Sequence, residues 1–165
     1  MAQIFISLGS NINKAEHIRR ALVALNKHFK NTQHSSVFES EAVGFAGNNF
    51  YNSVLAATTD MALEDVCALL KQIERDNGRK ANDKKFSPRT LDLDLLFYDD
   101  VICESPAQLP RDEITKNAFV LQPLAEVAPD FYHPVAKKTI AQIWNAYNNP
   151  QQKLWKVEFS NPWVL

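Results

Sequence analysis

Arg89-Thr90-Leu91-Asp92-Leu93-Asp94-Leu95-Leu96 alternates apolar and acidic side chains at the end of a basic loop. In an extended chain, successive side chains point to opposite faces, so Leu91, Leu93 and Leu95 share one face and Asp92 and Asp94 the other. The leucine row predicts a strand laid on a core. Acidic residues are depleted in strands, and two carboxylates about 7 Å apart on one face repel unless a cation lies between them. A pair of Mg2+ ions would relieve that repulsion, because hard divalent cations take oxygen ligands and are held by one or two carboxylates together with substrate phosphates. An exposed strand face with ordinary surface acids accounts for the same letters. The loop in front favours phosphate chemistry. Arg75 to Arg89 carries six basic residues (Arg75, Arg79, Lys80, Lys84, Lys85, Arg89) against two acids (Asp76, Asp83), which suits a triphosphate whose charge is shared between Mg2+ and guanidinium forks.

Working outward from this strand, Ile4 to Leu8 reads as a first strand buried on both faces, followed by a turn at Gly9-Ser10-Asn11. Ile18, Ala21, Leu22, Leu25 and Phe29 recur at helical spacing over Lys14–Phe29, with Asn13 as the expected N-cap. Thr32–Ser40 and Phe50–Thr58 read as two strands around a loop holding Gly44 and Gly47. A second helix is expected from about Ala62 to Asn77, with Leu63, Val66, Leu70 and Ile73 as its stripe and Gly78 as its stop. With Leu91–Tyr98 as the fourth strand, the order is β-α-β-β-α-β. The fold class predicted is therefore α+β, a ferredoxin-like βαββαβ core. Short helices over Phe119–Val127 and Ile140–Tyr147, packed on the edge, and a last strand over Leu154–Phe159 would be C-terminal additions. Nothing marks a linker or repeat, so residues 1–165 are expected to form a single domain.

Composition narrows the function. The 165 residues are 45% hydrophobic and 22% charged, as in soluble globular proteins, and no apolar run approaches the roughly 20 residues that a membrane span needs. The N-terminus lacks a basic region and a long apolar stretch, so no secretory signal is visible and a cytoplasmic location is expected. Eighteen Lys+Arg against 19 Asp+Glu leave a net charge of -1, which argues against a general nucleic-acid binder. Four glycines, Gly9, Gly44, Gly47 and Gly78, form neither a dinucleotide fingerprint nor a P-loop. Cys67 and Cys103 stand far apart and read as buried free thiols.

Five segments in order carry a family resemblance: Ser7-Leu8-Gly9-Ser10-Asn11; Phe50-Tyr51-Asn52; Ile73-Glu74 with Gly78-Arg79; Pro88-Arg89-Thr90-Leu91-Asp92-Leu93-Asp94; and Ala118-Phe119-Val120-Leu121-Gln122-Pro123-Leu124. Together they span residues 5 to about 130, and through them the chain resembles the 6-hydroxymethyl-7,8-dihydropterin pyrophosphokinase family of folate biosynthesis. The resemblance implies a ferredoxin-like fold and transfer of pyrophosphate from ATP, the co-substrate, to the pterin alcohol. It implies that Asp92 and Asp94 hold two Mg2+ ions, and that Arg79 and Arg89 act on the phosphates as catalytic groups. Glu74, Lys85 and Arg111 join them on the ATP side. On the pterin side it implies Asn52 reading the amide edge, Phe50 and Phe119 sandwiching the ring, and Val43 in the adjoining loop. A monomer with small-molecule partners, and neither nucleic acid nor membrane, is expected.

The chain departs from the family pattern chiefly on the ATP side. Arg111 stands where a His usually follows Leu-Pro, Asn117 where an Arg is usual, Ala81 where an Arg is common, Lys85-Phe86 for Arg-Trp, and Ser87 for Gly or Ala. A divergent relative that binds pterin or nucleotide with weak or altered transferase activity is therefore the alternative. An RNA-binding module shares the βαββαβ order, but the chain lacks the aromatic strand such a module displays.

Overall fold

The computed structural model describes residues 1–41, 48–78 and 91–159. The chain order is β1 (Ala2–Ser10), α1 (Lys14–His28), β2 (Lys30–His34), β3 (Val37–Ser40), β4 (Phe50–Thr59), α2 (Leu63–Asp76) and β5 (Asp92–Tyr98). A 3-10 turn over Asp112–Thr115 leads to α3 (Ala118–Val127), a small hairpin of β6 (Tyr132–His133) and β7 (Lys138–Thr139), α4 (Ile140–Ala146) and β8 (Leu154–Val157). The main sheet runs β5-β1-β4-β3-β8, with β2 also pairing β4, and the pairings of β1 with β4 and β5 and of β3 with β4 are antiparallel. The core is thus the ferredoxin-like arrangement expected from the element order, extended by β8.

Strand alternation divides the sheet into two faces. Ile4, Ile6 and Leu8 of β1, Leu55 and Ala57 of β4, and Leu93 and Leu95 of β5 form one face. They pack under Ile18, Ala21, Leu22 and Leu25 of α1 and Val66, Leu70 and Ile73 of α2. On the other face, Phe5, Val54, Ala56 and Leu96 pack under Val120, Leu121 and Leu124 of α3 and Ile140 of α4. The β1 strand is buried on both faces, as its composition indicates, because each face has its own helical layer.

Several expectations need correction. The single strand expected over Thr32–Ser40 is broken at Ser35–Ser36. The Ser35 Oγ takes the Val54 N–H at 2.9 Å, and the register against β4 shifts from His34 opposite Leu55 to Phe38 opposite Asn52, one residue out of step. Asn13 precedes α1 in a left-handed conformation (φ 44°) and makes no side-chain cap. Rather than sitting at an edge, α3 covers half of a sheet face, and the β6–β7 hairpin and the 3-10 turn carried no usable periodicity. Cys67 and Cys103 are free but only half-buried, and burial pushes the Cys67 thiol up from its ordinary range. Among the described residues, no helix is long and apolar enough to cross a membrane.

Candidate active site

The α3–α4 layer packs on Phe5, Val54, Ala56 and Leu96, and the acidic pair lies on the same sheet face, nearer the start of β5. Register fixes the arrangement. Gly9 of β1 is opposite Asn52 of β4 on one side and Asp92 of β5 on the other, and Ser7 is opposite Val54 and Asp94. Side chains at paired positions share a face, and neighbouring strands lie about 4.8 Å apart, so Asp92, Gly9 and Asn52 form one row across three strands. Phe38 of β3 continues the row beyond Asn52, and Ser40 is opposite Phe50 in the next one. The alternation that buries Leu91, Leu93 and Leu95 in the other face is what directs both aspartates here.

Asn52 is 5% exposed, and its Nδ2 donates to the Ser40 Oγ at 2.7 Å. That bond fixes which way the carboxamide is turned and leaves Oδ1 on the side facing Gly9, where a Cβ would sit 3.6 Å from it. Gly9 itself is informative. The space beside it would accept a Cβ at ordinary contact distances, with Phe50 Cδ1 and the Tyr51 carbonyl oxygen each 4.0 Å away. Glycine weakens a strand interior, and packing within the protein does not require it here, so its bare backbone is a surface on which a ligand can lie. The sequence marks Gly9 as part of a turn and of the first resemblance segment, but β1 runs on through Ser10, and the alignment of Gly9 between Asp92 and Asn52 depends on pairing that no local spacing reveals.

On the carboxylate side, burial first and the Asp92 charge second hold the Asp94 carboxyl far above the usual range, to about 8, with the Arg111 guanidinium opposing them. Arg111 Nη2 lies 3.2 Å from Asp94 Oδ1 and 3.8 Å from Glu113 Oε1. Glu74, in the last turn of α2, accepts the Leu93 N–H at 2.8 Å, so it braces the outer edge of β5 between the two aspartates. Among the described residues, no group of three or more His, Cys, Asp or Glu side chains is gathered to hold a metal by itself. An all-oxygen pair with a carboxyl this reluctant to ionise fits a hard divalent cation that draws its remaining ligands from elsewhere.

Phe119 lies in the first turn of α3, half-buried, between Ala118 and Val120, which face the core. Pro123 lacks the N–H that would otherwise pair with the Phe119 carbonyl. The turn is held from a distance. Gln152 Oε1 accepts the Ala118 N–H at 2.7 Å, Gln152 Nε2 donates to Asn117 Oδ1 at 3.2 Å, and the Tyr147 hydroxyl donates to the Lys116 carbonyl at 2.8 Å. Asn117 makes no cap of its own. Phe50, Asn52, Glu74, Asp92, Asp94, Arg111 and Phe119 thus fall on β4, α2, β5, the segment after β5 and the first turn of α3. Val43, Arg79, Lys85 and Arg89 lie outside the described residues.

A family model for 7,8-dihydro-6-hydroxymethylpterin-pyrophosphokinase matches residues 5–129. The chain is similar to a 2-amino-4-hydroxy-6-hydroxymethyldihydropteridine pyrophosphokinase of Aquifex aeolicus, at 33% identity over 87% of this chain and 91% of that one. It is also similar to one of Pseudomonas aeruginosa, at 34% over 80% and 84%. A Chlamydia caviae folate synthesis bifunctional protein is 32% identical over 92% of this chain, which spans 37% of that protein's length. Among solved structures, a Plasmodium falciparum HPPK-DHPS with SDX-DHP superposes with a TM-score of 0.69 at 14% identity, covering 89% of this chain and 44% of that one, a likeness of fold.

Proposed function

The chain belongs to the 7,8-dihydro-6-hydroxymethylpterin-pyrophosphokinase family, and from that premise we propose that it transfers pyrophosphate from ATP to 6-hydroxymethyl-7,8-dihydropterin in folate biosynthesis. The observation that carries the reading on this chain's own residues is the row Asp92–Gly9–Asn52 across three strands, acidic at one end and carboxamide at the other.

In this reading the pterin lies at the Asn52 end. Its amide edge is met by a carboxamide whose rotation Ser40 fixes, and its ring is stacked between Phe50 and Phe119, with Val43 alongside. The triphosphate lies at the aspartate end, with Arg79, Lys85, Arg89 and Arg111 as its cations and Glu74 bracing the strand that carries the aspartates. Asp92 and Asp94 would hold Mg2+, two ions in this proposal, whose chemistry when bound is to neutralise phosphate charge and favour the alkoxide character of the attacking hydroxyl. The hydroxymethyl oxygen attacks the β-phosphorus; that O–P bond forms as the bond from the β-phosphorus to the oxygen of AMP breaks. The products are AMP and the pterin diphosphate, and the hydroxyl proton is released. The protein's share is positioning and fixed charge, as in phosphoryl transfer generally. The bare Gly9 backbone allows the two substrates to approach over the strand.

The test is AMP release from Mg-ATP by the purified protein, with and without the pterin, with Asp92→Asn as control. Pterin-dependent AMP that disappears in the variant is expected; AMP that ignores the pterin or survives the variant overturns the proposal. The presence of Arg111 and Asn117 on the ATP side favours the alternative of a divergent relative in one respect, since that is where the pattern changes. Pterin binding by calorimetry without any AMP would select it. The same preparation, run by sedimentation, tests the accompanying proposal of a cytoplasmic, single-domain monomer for its oligomeric part.

A further inference from the structure

Arg111 is held and underused at once. Its backbone N–H donates to the Leu96 carbonyl at 3.1 Å and its carbonyl accepts the Ile114 N–H at 3.2 Å, so the residue is docked beside β5 and the reach of its side chain is limited. The guanidinium is charged at every physiological pH and carries five donors. One nitrogen, Nη2, is shared between Asp94 and Glu113, and Nε is buried without a hydrogen-bond partner among the described residues. A buried orphan donor is costly and indicates a partner that the described residues do not supply. Arg111 lies against the carboxyl group that a divalent cation would need, and a second cation brought beside it meets the repulsion of the guanidinium.

We propose that Arg111 is a resident counter-cation of the carboxylate pair that makes metal binding conditional on nucleotide. Without nucleotide, the guanidinium sits against Asp94 and competes with a divalent cation for the place beside it. When the metal arrives with a polyphosphate, the docked Arg111 exchanges Asp94 for phosphate oxygens, which satisfy its fork and its orphan Nε. Asp94 is thereby released to the metal. A histidine at this position would be largely neutral near pH 7 and would impose no such competition. The inference rests on the proposed function only for the identity of the nucleotide.

The test is Mn2+ binding, read as free Mn2+ by electron paramagnetic resonance, in the wild-type protein and in Arg111→Met without nucleotide. On the order of tenfold tighter binding in the variant is expected from removing the competing charge. At the same time, its affinity for a non-hydrolysable ATP analogue with Mg2+ should fall by on the order of tenfold. Mn2+ binding that is unchanged or weaker in Arg111→Met overturns the proposal, because a residue that merely props Asp94 would have that effect. In the wild-type protein the Arg111 Nε–Hε resonance is expected to shift on adding Mg2+ with the ATP analogue, and a resonance that does not move also overturns it, even if the variant folds poorly. AMP formation by the wild-type protein alongside unchanged Mn2+ binding in the variant refutes this inference alone. Absence of AMP in the wild type, with tighter Mn2+ binding in the variant and an Arg111 resonance that moves on adding the analogue, refutes the proposed function alone.

Discussion

Ile6, Leu8, Leu55 and Leu93 lie buried under α1 and α2, while Ser7, Gly9, Asn52, Asp92 and Asp94 of the same strands belong to the opposite face, the one that α3 packs on. The same strands supply both sets, one parity to each face. The difference teaches that the core places the candidate site. Burial of the leucine parity fixes the register, and a one-residue slip would exchange the faces and scatter the Asp92–Gly9–Asn52 row. The core face is closed by matching shapes. On the site face the described residues leave groups poorly satisfied: a carboxyl pushed up to about 8, an arginine with an orphan nitrogen, and a glycine that their packing does not require.

The largest effects should separate the two faces. Asp94→Asn is expected to lower pterin-dependent AMP formation about 10^3-fold while leaving the urea midpoint unchanged or raised, because it removes a half-buried carboxylate from a like-charged neighbour. Leu55→Ala, on the opposite face, is expected to destabilise by about 2–5 kcal/mol, with near-normal turnover per folded molecule. If Asp94→Asn unfolds the protein, or Leu55→Ala abolishes turnover in the folded fraction, the division of labour between the faces is wrong.

Gly9→Ala sharpens the comparison at one atom. The added methyl meets Asn52 Oδ1 at an ordinary 3.6 Å, so thermal stability should hold or rise, by about 0.5–1 kcal/mol. Turnover should fall by on the order of tenfold or more, as expected when reacting groups are held apart. Lost stability with normal turnover would make Gly9 a packing residue after all.

A pH slope tests the same carboxyl through stability instead of turnover. A carboxyl whose folded pKa lies above its ordinary 3.8 favours the folded state fully below 3.8, and that contribution is lost as pH rises toward about 8. The metal-free wild-type protein should therefore lose stability relative to Asp94→Asn between about pH 4 and about pH 8, and the gap should stay constant above that. Urea midpoints of both proteins across that range check it; parallel curves would mean that Asp94 is no more reluctant to ionise than a surface acid.

Much of the candidate site is readable one residue at a time. Asp92 and Asp94 declare themselves because carboxylates in a strand otherwise obeying leucine alternation contradict the local propensity. The helical stripes of α1 and α2 are visible for the same kind of reason: repeated spacing within a single element. Phe50, Asn52 and Phe119 are different, because as isolated letters they read as a core aromatic or a strand-end amide, and only the family resemblance singled them out. The break at Ser35–Ser36 was invisible since it depends on a serine hydroxyl replacing a ladder bond on another strand. The helix α3 starts one residue before the Phe119 that the spacing indicates, and what holds its first turn is not legible locally, because Gln152 reaches Ala118 from 34 residues away.

What the sequence determined by itself was periodicity: two amphipathic helices, strands of defined parity and an acidic pair on one face, all set by side chains within a few residues of each other. Tertiary structure alone decided which residues on different strands became neighbours. It set Gly9 between Asp92 and Asn52, Ser40 against the Asn52 amide, Glu74 on the edge of β5 and Arg111 on Asp94. Those pairings are chosen by the packing of the whole leucine face, a sum over many distant contacts, and no local pattern in the chain carries that sum.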